Sequence, residues 1–223
     1  TYLPDGRVDV PLPELDEKQT TAIAALKTRI EAACVEKNIE ERYAHPVDYD
    51  YLRFLRARKW NVDEAFKMMI NTLVWRNTNK PDLITEAEIE SENMKGKVYF
   101  QDYDYDGNLI CWIKVRLHKS SESDFTVLQK LCMYWMEQGF RHVRPDCPGT
   151  CVLFDMKNFG LANMDYKYVK FIVDMFANHY PDTLGVAAIV NSPWIFNGCW
   201  YIIKPWIDPV TASKVKFVSE KDL

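Results

Sequence analysis

The chain has 223 residues, of which 48% are apolar and 27% charged, and its formal net charge at pH 7 is −4. This balance is typical of a folded globular protein and excludes a chain that is disordered throughout. A domain of this size buries about 70% of the surface that its unfolded chain exposes, so it needs no metal or disulfide to hold a core. The negative net charge argues against a general nucleic-acid-binding protein.

The cysteine content and the termini bear on where the protein works. The six cysteines form no paired framework, which favours a reducing, cytosol-facing compartment. No apolar run of about 18 residues is present to span a bilayer, and no signal peptide opens the chain. The missing initiator Met suggests that the sequence is a piece of a longer protein.

The first 95 residues have helical periodicity after a proline-containing extended leader over residues 1–15. In the third helix Asn61 is the expected N-cap, and Glu64 completes a capping box. In chain order, helices are predicted over residues 17–38, 50–58, 61–77 and 85–95.

The hydrophobic period changes after residue 95. The runs 97–103 and 108–117 read as strands, and Asp106-Gly107 between them is a hairpin signal. Further strands are predicted over residues 150–155, 184–190 and 214–218, and helices over residues 125–142, 165–179 and 192–205. The alternation predicts an α/β fold, in which a helical N-terminal subdomain precedes a mixed, mostly parallel sheet with crossover helices.

Two acidic or cysteine-containing runs resemble metal sites. The run from Asp102 to Gly107 fits the first six positions of an EF-hand loop, but Ile113 stands where a bidentate Glu is needed. Strands flank this run, so we interpret it as a hairpin turn. Cys147 and Cys151 have no second pair at a spacing suited to zinc. We therefore predict no metal and no cofactor.

Motifs that mark enzymes are missing from the sequence. It has no P-loop, no G-x-G-x-x-G and no G-x-S-x-G, and its acids form no local pair suited to acid–base chemistry. We expect a protein that is not an enzyme. An enzyme whose site is assembled from distant residues stays a remote alternative.

Two segments allow more than one interpretation. The helix from Trp194 to Trp206 is apolar on all sides, so it is either fully buried or meets lipid as a second apolar solvent. The basic run Arg53–Lys59 has four cations in seven residues. It forms either a solvated face paired with Asp48 and Asp50 or a phosphate-binding surface.

Two blocks carry a family resemblance. The first is DYLRFLRARKWNVDEAFKMM, followed by the pair Trp75-Arg76, and it resembles the helical N-terminal part of the CRAL-TRIO lipid-binding family. The second is HYPDTLGVAAIVNSPWIFNGCWYIIKPWIDPVTASKVKF, which resembles that family's lipid-binding core. The likeness covers residues 48–218 and is closest to the secretory phosphatidylinositol-transfer branch.

The resemblance implies three segments and one apolar pocket. Residues 1–47 are a leader and N-terminal helix, residues 48–95 are the N-terminal helical part, and residues 96–223 are the lipid-binding core. That core usually continues further in the family, so we expect it to be truncated at its C-terminal end. The sheet floors a large apolar lipid pocket, and a movable gate closes it. The gate residues are Trp194, Ile195, Phe196, Trp200, Ile203 and Trp206.

The resemblance also implies two sets of lipid-binding residues. The inositol headgroup is held in this branch by positions that are here Arg58, Lys59, Asp182, Thr211 and Lys214. Asp182 replaces the usual Glu and is one methylene shorter. The second lipid lies over positions that are here Phe100, Cys111, Thr150 and Val152. Three of these four lack the strong hydroxyl donors of the branch, and each missing partner of a buried phosphate costs about 1–3 kcal/mol.

The resemblance thus predicts a lipid-transfer protein that extracts phosphatidylinositol and carries or presents it between membranes. It exchanges this lipid for a second hydrophobic lipid that is more apolar than phosphatidylcholine. We expect a cytoplasmic monomer, peripheral at organelle membranes, that contacts membrane surfaces transiently and binds no nucleic acid. The alternative is a tethering or interaction domain that keeps an apolar ligand pocket but transfers no lipid.

Overall fold

The computed structural model describes residues 1–219, so residues 220–223 of the predicted core lie outside the described residues. The chain folds into two compact units. The helical unit comprises Val10–Pro81 and Met175–Thr183. The sheet unit comprises Thr1–Asp9, Asp82–Asp174 and the chain from Leu184 onward.

The predicted α/β class is confirmed. The α-helices are α1 (Glu17–Glu36), α2 (Glu41–Ala44), α3 (Asp48–Ala57), α4 (Val62–Asn79), α5 (Glu86–Asn93), α6 (Phe125–His142), α7 (Tyr166–His179), α8 (Phe196–Ile203) and α9 (Pro209–Ser213). The strands are β1 (Val98–Tyr103), β2 (Leu109–Lys114), β3 (Thr150–Asp155), β4 (Leu184–Val190) and β5 (Val215–Val218). The bounds of α6, β3 and β4 are those predicted.

Side-chain caps fix where the helices of the helical unit begin. The Asp16 carboxylate accepts from the Gln19 N–H at 2.8 Å, and the Gln19 side chain accepts from the Asp16 N–H at 3.1 Å. This reciprocal pair satisfies two backbone donors that α1 would otherwise leave free. At α4 the Asn61 side chain accepts from the Glu64 N–H at 3.1 Å, as predicted. The Glu64 carboxylate binds Lys67 instead of returning to Asn61, so the predicted capping box is only half formed.

The five strands lie side by side in chain order, from β1 to β5. β1 and β2 form the predicted antiparallel hairpin, and the remaining neighbours pair in parallel. In the hairpin turn the Asp104 Oδ1 atom accepts from the N–H groups of Asp106 and Asn108. The EF-hand-like run is therefore a hairpin turn, as interpreted from its flanking strands.

Strand register decides which side chains share a face of the sheet. Side chains alternate between the two faces along each strand, and paired residues of neighbouring strands lie on the same face. One row across the sheet is Phe100, Cys111, Val152, Ala187 and Val215. The Phe100 ring meets Trp135 of α6 edge-on at 5.4 Å, and Phe217, two residues after Val215, meets Trp200 of α8 at 5.4 Å. We call this side of the sheet the covered face.

Asn108 ties the hairpin to the next two strands. Its Nδ2 group donates to Asp104 Oδ2 at 2.9 Å. A Cβ atom added at Gly149 would lie 2.2 Å from Asn108 Oδ1, and one added at Gly185 would lie 2.3 Å from the same atom. Only glycine therefore leaves room for Asn108 where β3 and β4 begin.

The structure corrects the start of the helix that the sequence places at Ser192. The chain leaves β4 through Asn191, whose φ of +56° is left-handed. The Phe196 N–H then donates to Pro193 O, and the Asn197 N–H donates to Trp194 O. These i→i+3 turns delay the helix, so α8 begins only at Phe196. Trp194 and Ile195 therefore precede α8, and Trp206 lies in the 3₁₀ turn that follows it.

Candidate lipid-binding site

The four residues predicted to lie under a second lipid come together in the sheet unit. Phe100, Cys111 and Val152 are cross-strand neighbours in one row of the covered face. Thr150 precedes Val152 by two residues on β3 and therefore lies on the same face. Burial raises the pKa of the Cys111 thiol to about 12, so it stays protonated and unreactive. This surface offers a single hydroxyl, that of Thr150.

Helix α6 covers the β1 end of this surface closely. A Cβ atom at Gly139 of α6 would lie 3.3 Å from the Cζ atom of Phe100. The Phe100 ring also contacts Trp135, whose indole N–H donates to Asn93 Oδ1 at 3.2 Å. The aromatic side chain at position 100 is thus held in place by its neighbours, and it presents no polar atom.

Apolar side chains further across the sheet unit are only partly covered. Along β3, Cys151 alone is fully buried. On α7 the apolar residues Val169, Ile172 and Val173, which recur at helical spacing, are half-buried. Central parallel strands with their crossover helices are normally buried on both faces. A partly covered apolar surface of this kind suits an apolar ligand.

Helix α8 has one buried apolar face and one exposed apolar face. Phe196, Cys199 and Ile203 are buried, and the Phe196 ring meets Phe159 edge-on at 5.5 Å. On the other side Tyr201 is 82% exposed, and Trp194, just before the helix, is 84% exposed. The interpretation of this segment as a fully buried helix is therefore wrong. Its two apolar faces suit an element that contacts both a pocket and a lipid surface.

In the helical unit, the predicted headgroup residues lie at the end of α3 and in the turn before β4. Arg58 is the C-cap of α3, and its guanidinium donates to the Ala57 carbonyl at 3.2 Å. Lys59 follows in a left-handed conformation and is exposed. The Asp182 carboxylate lies 3.4 Å from the guanidinium of Arg56. The sequence offers Arg56 as part of the basic run, but its pairing with Asp182 depends on the fold.

The basic run as a whole is not one solvated face. The Arg53 guanidinium is buried, binds Asp50 Oδ1 at 2.8 Å and donates to the Pro181 carbonyl at 3.2 Å. Asp48 instead pairs with Lys27 of α1 at 3.2 Å. Arg53 is thus a structural residue, whereas Arg56 and Lys59 of the run are exposed.

In the sheet unit, the two remaining headgroup residues lie on and just after α9. The Thr211 N–H donates to Asp208 Oδ1 at 3.0 Å, which caps the start of that short helix. The Lys214 ammonium is half-buried and donates to the Leu184 carbonyl at 2.6 Å. An ammonium group has three donors, so Lys214 retains donors for a phosphate.

A buried polar cluster in the sheet unit was missed by sequence reasoning. The Lys97 ammonium contacts the Glu92 carboxylate and lies 3.4 Å from His118 Nδ1. On its other side His118 Nε2 lies 3.3 Å from Asp165 Oδ2. Burial lowers the pKa of His118, and the Lys97 charge lowers it further, which favours the neutral imidazole. Glu92 and Lys97 are close in the chain, but His118 and Asp165 lie much further along it, which is why no local motif reveals the cluster.

Two family models match the chain. The model of the CRAL/TRIO domain matches residues 93–223, and that of the CRAL/TRIO N-terminal domain matches residues 36–71. The chain belongs to the CRAL/TRIO domain family. This is a family of lipid-binding and lipid-transfer domains, so the resemblance inferred from the sequence is confirmed.

The curated relatives of this CRAL/TRIO chain include a phosphatidylinositol transfer protein. It is 37% identical to the CRAL-TRIO domain-containing protein C3H8.02 of Schizosaccharomyces pombe, over 74% of its own length and 39% of that protein. It is 34% identical to the phosphatidylinositol transfer protein CSR1 of Eremothecium gossypii, over 96% of its own length and 52% of that protein. The chain therefore spans between 39% and 52% of the length of these two relatives.

A solved structure confirms the fold of the CRAL/TRIO chain. The crystal structure of Sfh5 matches with a TM-score of 0.77 and 19% sequence identity, over 92% of this chain and 82% of that one. Within residues 1–219, no helix combines the length and apolarity needed to cross a bilayer.

Proposed function

We propose that this CRAL/TRIO chain binds one phosphatidylinositol molecule and carries it between membranes or presents it at one. The acyl chains lie against the covered face and the inward stripe of α7. The observation that carries this proposal is the partial burial of apolar side chains such as Val152 and Ile172. Acyl chains would remove that surface from water, at about 25 cal/mol per Å².

Helix α8 is the gate of this proposal. Its buried residues Phe196 and Ile203 close over the covered face, while its exposed Tyr201 and the exposed Trp194 just before it enter the interfacial layer of a membrane. Membrane contact is transient, as exchange of a lipid requires. The protein works as a monomer at the cytoplasmic surface of organelle membranes, and no covalent chemistry is involved.

The inositol headgroup is bound by the five residues that the family resemblance implies. In the helical unit, Arg58 and Lys59 offer charge-assisted hydrogen bonds to a phosphate, and Asp182 offers an acceptor to inositol hydroxyls. In the sheet unit, Lys214 and Thr211 offer the same two kinds of contact. Asp182 is partly neutralised by Arg56 at 3.4 Å, so this carboxylate can lie near a phosphodiester without strong repulsion.

The second lipid is more apolar than phosphatidylcholine. Phe100, Cys111 and Val152 form one row of the covered face and offer no strong donor to a phosphate. A buried phosphate there would lose about 1–3 kcal/mol for each missing partner. The CRAL/TRIO chain should therefore transfer phosphatidylinositol without comparable transfer of phosphatidylcholine.

Transfer of labelled phosphatidylinositol between liposomes tests the headgroup site. Combining Lys59→Ala with Lys214→Ala should lower the transfer rate at least about tenfold, because each charge-assisted bond contributes about 1.5–3 kcal/mol. Matched controls are Lys67→Ala in the helical unit and Lys216→Ala on β5, both exposed lysines. Unchanged transfer by the double variant would show that the headgroup is bound elsewhere.

Mass spectrometry of lipids that co-purify with the chain separates transfer from tethering. Phosphatidylinositol bound at about one molecule per chain supports the proposal. An apolar lipid alone, together with vesicle binding but no transfer, would favour the tethering alternative. Equal transfer of phosphatidylcholine would overturn the assignment of the covered face to a more apolar lipid.

A further inference from the structure

Tyr166, the first residue of α7, contacts the gate at two places. Its ring meets the Trp206 ring edge-on, with 6.2 Å between centroids and an interplanar angle of 80°. Its hydroxyl lies beside the thiol of Cys199, a buried residue of α8. The side chain therefore joins α7 to both α8 and the 3₁₀ turn that follows it.

Hydrogen bonds within the sheet unit fix the first turn of α7, where Tyr166 lies. Asp165 Oδ1 accepts from the Tyr168 N–H at 2.9 Å, while its other oxygen lies 3.3 Å from His118 Nε2. The Tyr168 hydroxyl donates to the Leu128 carbonyl of α6 at 3.1 Å. The first turn of α7 is thus fixed to α6 and to the buried polar cluster.

The element that Tyr166 touches is held less firmly. The outward residues Trp194, Asn197 and Tyr201 are exposed, and the chain enters this segment through the left-handed Asn191. Its inward packing is apolar, as in the edge-on contact of Trp200 with Phe217. Apolar contacts of this kind are not directional, whereas the Tyr166 contacts define one position of the segment.

We propose that Tyr166 is a latch that keeps α8 closed over the covered face, and that lipid entry requires both of its contacts to break. This inference rests on the proposed role of α8 as the gate. Tyr166 touches no lipid in this scheme and acts as a positioning residue. Its partly exposed ring, at 37%, leaves it accessible from the surface that would meet a membrane.

Hydrogen exchange of the full chain, followed by mass spectrometry without lipid, tests the latch. Tyr166→Ala removes both contacts and should accelerate exchange of the amides of residues 196–206 by about tenfold. Tyr166→Phe keeps the ring against Trp206 and should have a smaller effect. The control is Tyr134→Ala, because Tyr134 also meets a tryptophan edge-on and donates its hydroxyl to a side chain, away from the gate.

Amides of β3 and β4 in the same samples separate a latch from a general loss of stability. Faster exchange confined to residues 196–206 supports the latch. Unchanged exchange there, or equal acceleration in β3 and β4, overturns it. If Tyr166→Ala does not fold, Tyr166→Phe and Cys199→Ala replace it. Their combination should then accelerate exchange no more than either alone, and additive effects would overturn the hydroxyl–thiol contact.

The same variants distinguish the latch from the proposed ligand. Tyr166→Ala should also raise the rate at which phosphatidylinositol leaves the protein. If the wild-type chain transfers no phosphatidylinositol but exchange at residues 196–206 responds as expected, the latch stands and the ligand is wrong. If the wild-type chain transfers the lipid but the Tyr166 variants leave hydrogen exchange at residues 196–206 unchanged, the latch is wrong and the proposed ligand is not affected.

Discussion

The two units of the chain bury their apolar residues to different degrees. In the helical unit, Leu26, Ile30, Leu52 and Leu55 are completely buried in one closed core. In the sheet unit, the cluster beneath α8 is smaller, and much of α7 and β3 is only half covered. The helical unit thus uses its apolar residues for its own stability, whereas the sheet unit keeps a large part of them accessible to a ligand.

Replacing an isoleucine by alanine should lower the free energy of unfolding by different amounts in the two units. This is the largest effect that we expect. Ile30→Ala removes a fully buried side chain and should lower the free energy of unfolding by about 2–5 kcal/mol. Ile172→Ala on α7 removes a half-buried side chain and should cost about 1 kcal/mol. Urea unfolding of both variants measures the two losses. Equal losses would mean that the two units are equally well packed.

A second prediction concerns the close packing of Asn108 against β4. Gly185→Ala places a Cβ atom against Asn108 Oδ1 and should cost about 1–3 kcal/mol through overpacking. Asn108→Ala in the same chain should recover part of that loss, because it removes the obstructing oxygen. Unfolding midpoints of the single and double variants form a double-mutant cycle. Additive losses would show that Asn108 and Gly185 do not interact.

The helical unit should also lose stability in mild acid. His179 stacks on Trp75 with 4.3 Å between ring centroids, and burial, aided by Arg76, lowers its pKa to about 4. Because the unfolded chain binds a proton near the ordinary pKa of 6.5, this stabilisation is full above that pH and is lost as the pH falls towards 4.

His179→Gln isolates this effect, since glutamine does not titrate. Between pH 7 and pH 5 the wild-type chain should lose about 1–2 kcal/mol more stability than the variant. Thermal unfolding at both pH values measures the difference. An identical pH dependence would show that His179 binds its proton equally well in the folded protein.

The smallest effect on stability is expected at Trp194, the exposed residue just before α8. Trp194→Ala should change the free energy of unfolding by less than about 0.5 kcal/mol, because the side chain is 84% exposed. It should nevertheless weaken binding to phosphatidylinositol-containing vesicles several-fold. Tyr105→Ala, a fully exposed aromatic in the hairpin turn, is the matched control. Equal vesicle binding by both variants would show that Trp194 does not contact the membrane.

Elements with a strong local pattern could be predicted from the sequence. The bounds of α6, β3 and β4 follow from uninterrupted apolar periodicity. The start of α8 could not be predicted, because the left-handed Asn191 and the turns after it delay the helix that the sequence predicts from residue 192. The five-residue helix α9 is too short to leave a periodic signal.

The candidate site, like the fold, could be predicted only in part from the sequence. The candidate lipid-binding residues follow from sequence blocks. That Phe100, Cys111 and Val152 form one row, in contrast, depends on strand register. The pairing of Arg56 with Asp182 joins residues 126 positions apart, and no local pattern encodes it. Tyr166 carries no motif at all, since only its contacts with Cys199 and Trp206 distinguish it from other tyrosines of the chain.

The strand order has a consequence for synthesis on the ribosome. Because β1 to β5 lie in chain order, each emerging strand adds to the edge left by the strand before it, and none has to insert between two others. The helical unit assembles differently. Thr72 of α4 donates its hydroxyl to the Asn178 carbonyl at 2.9 Å, so this unit is complete only after residues 175–183 have emerged. The N-terminal helices must therefore wait for a late segment while the first three strands of the sheet are already being made.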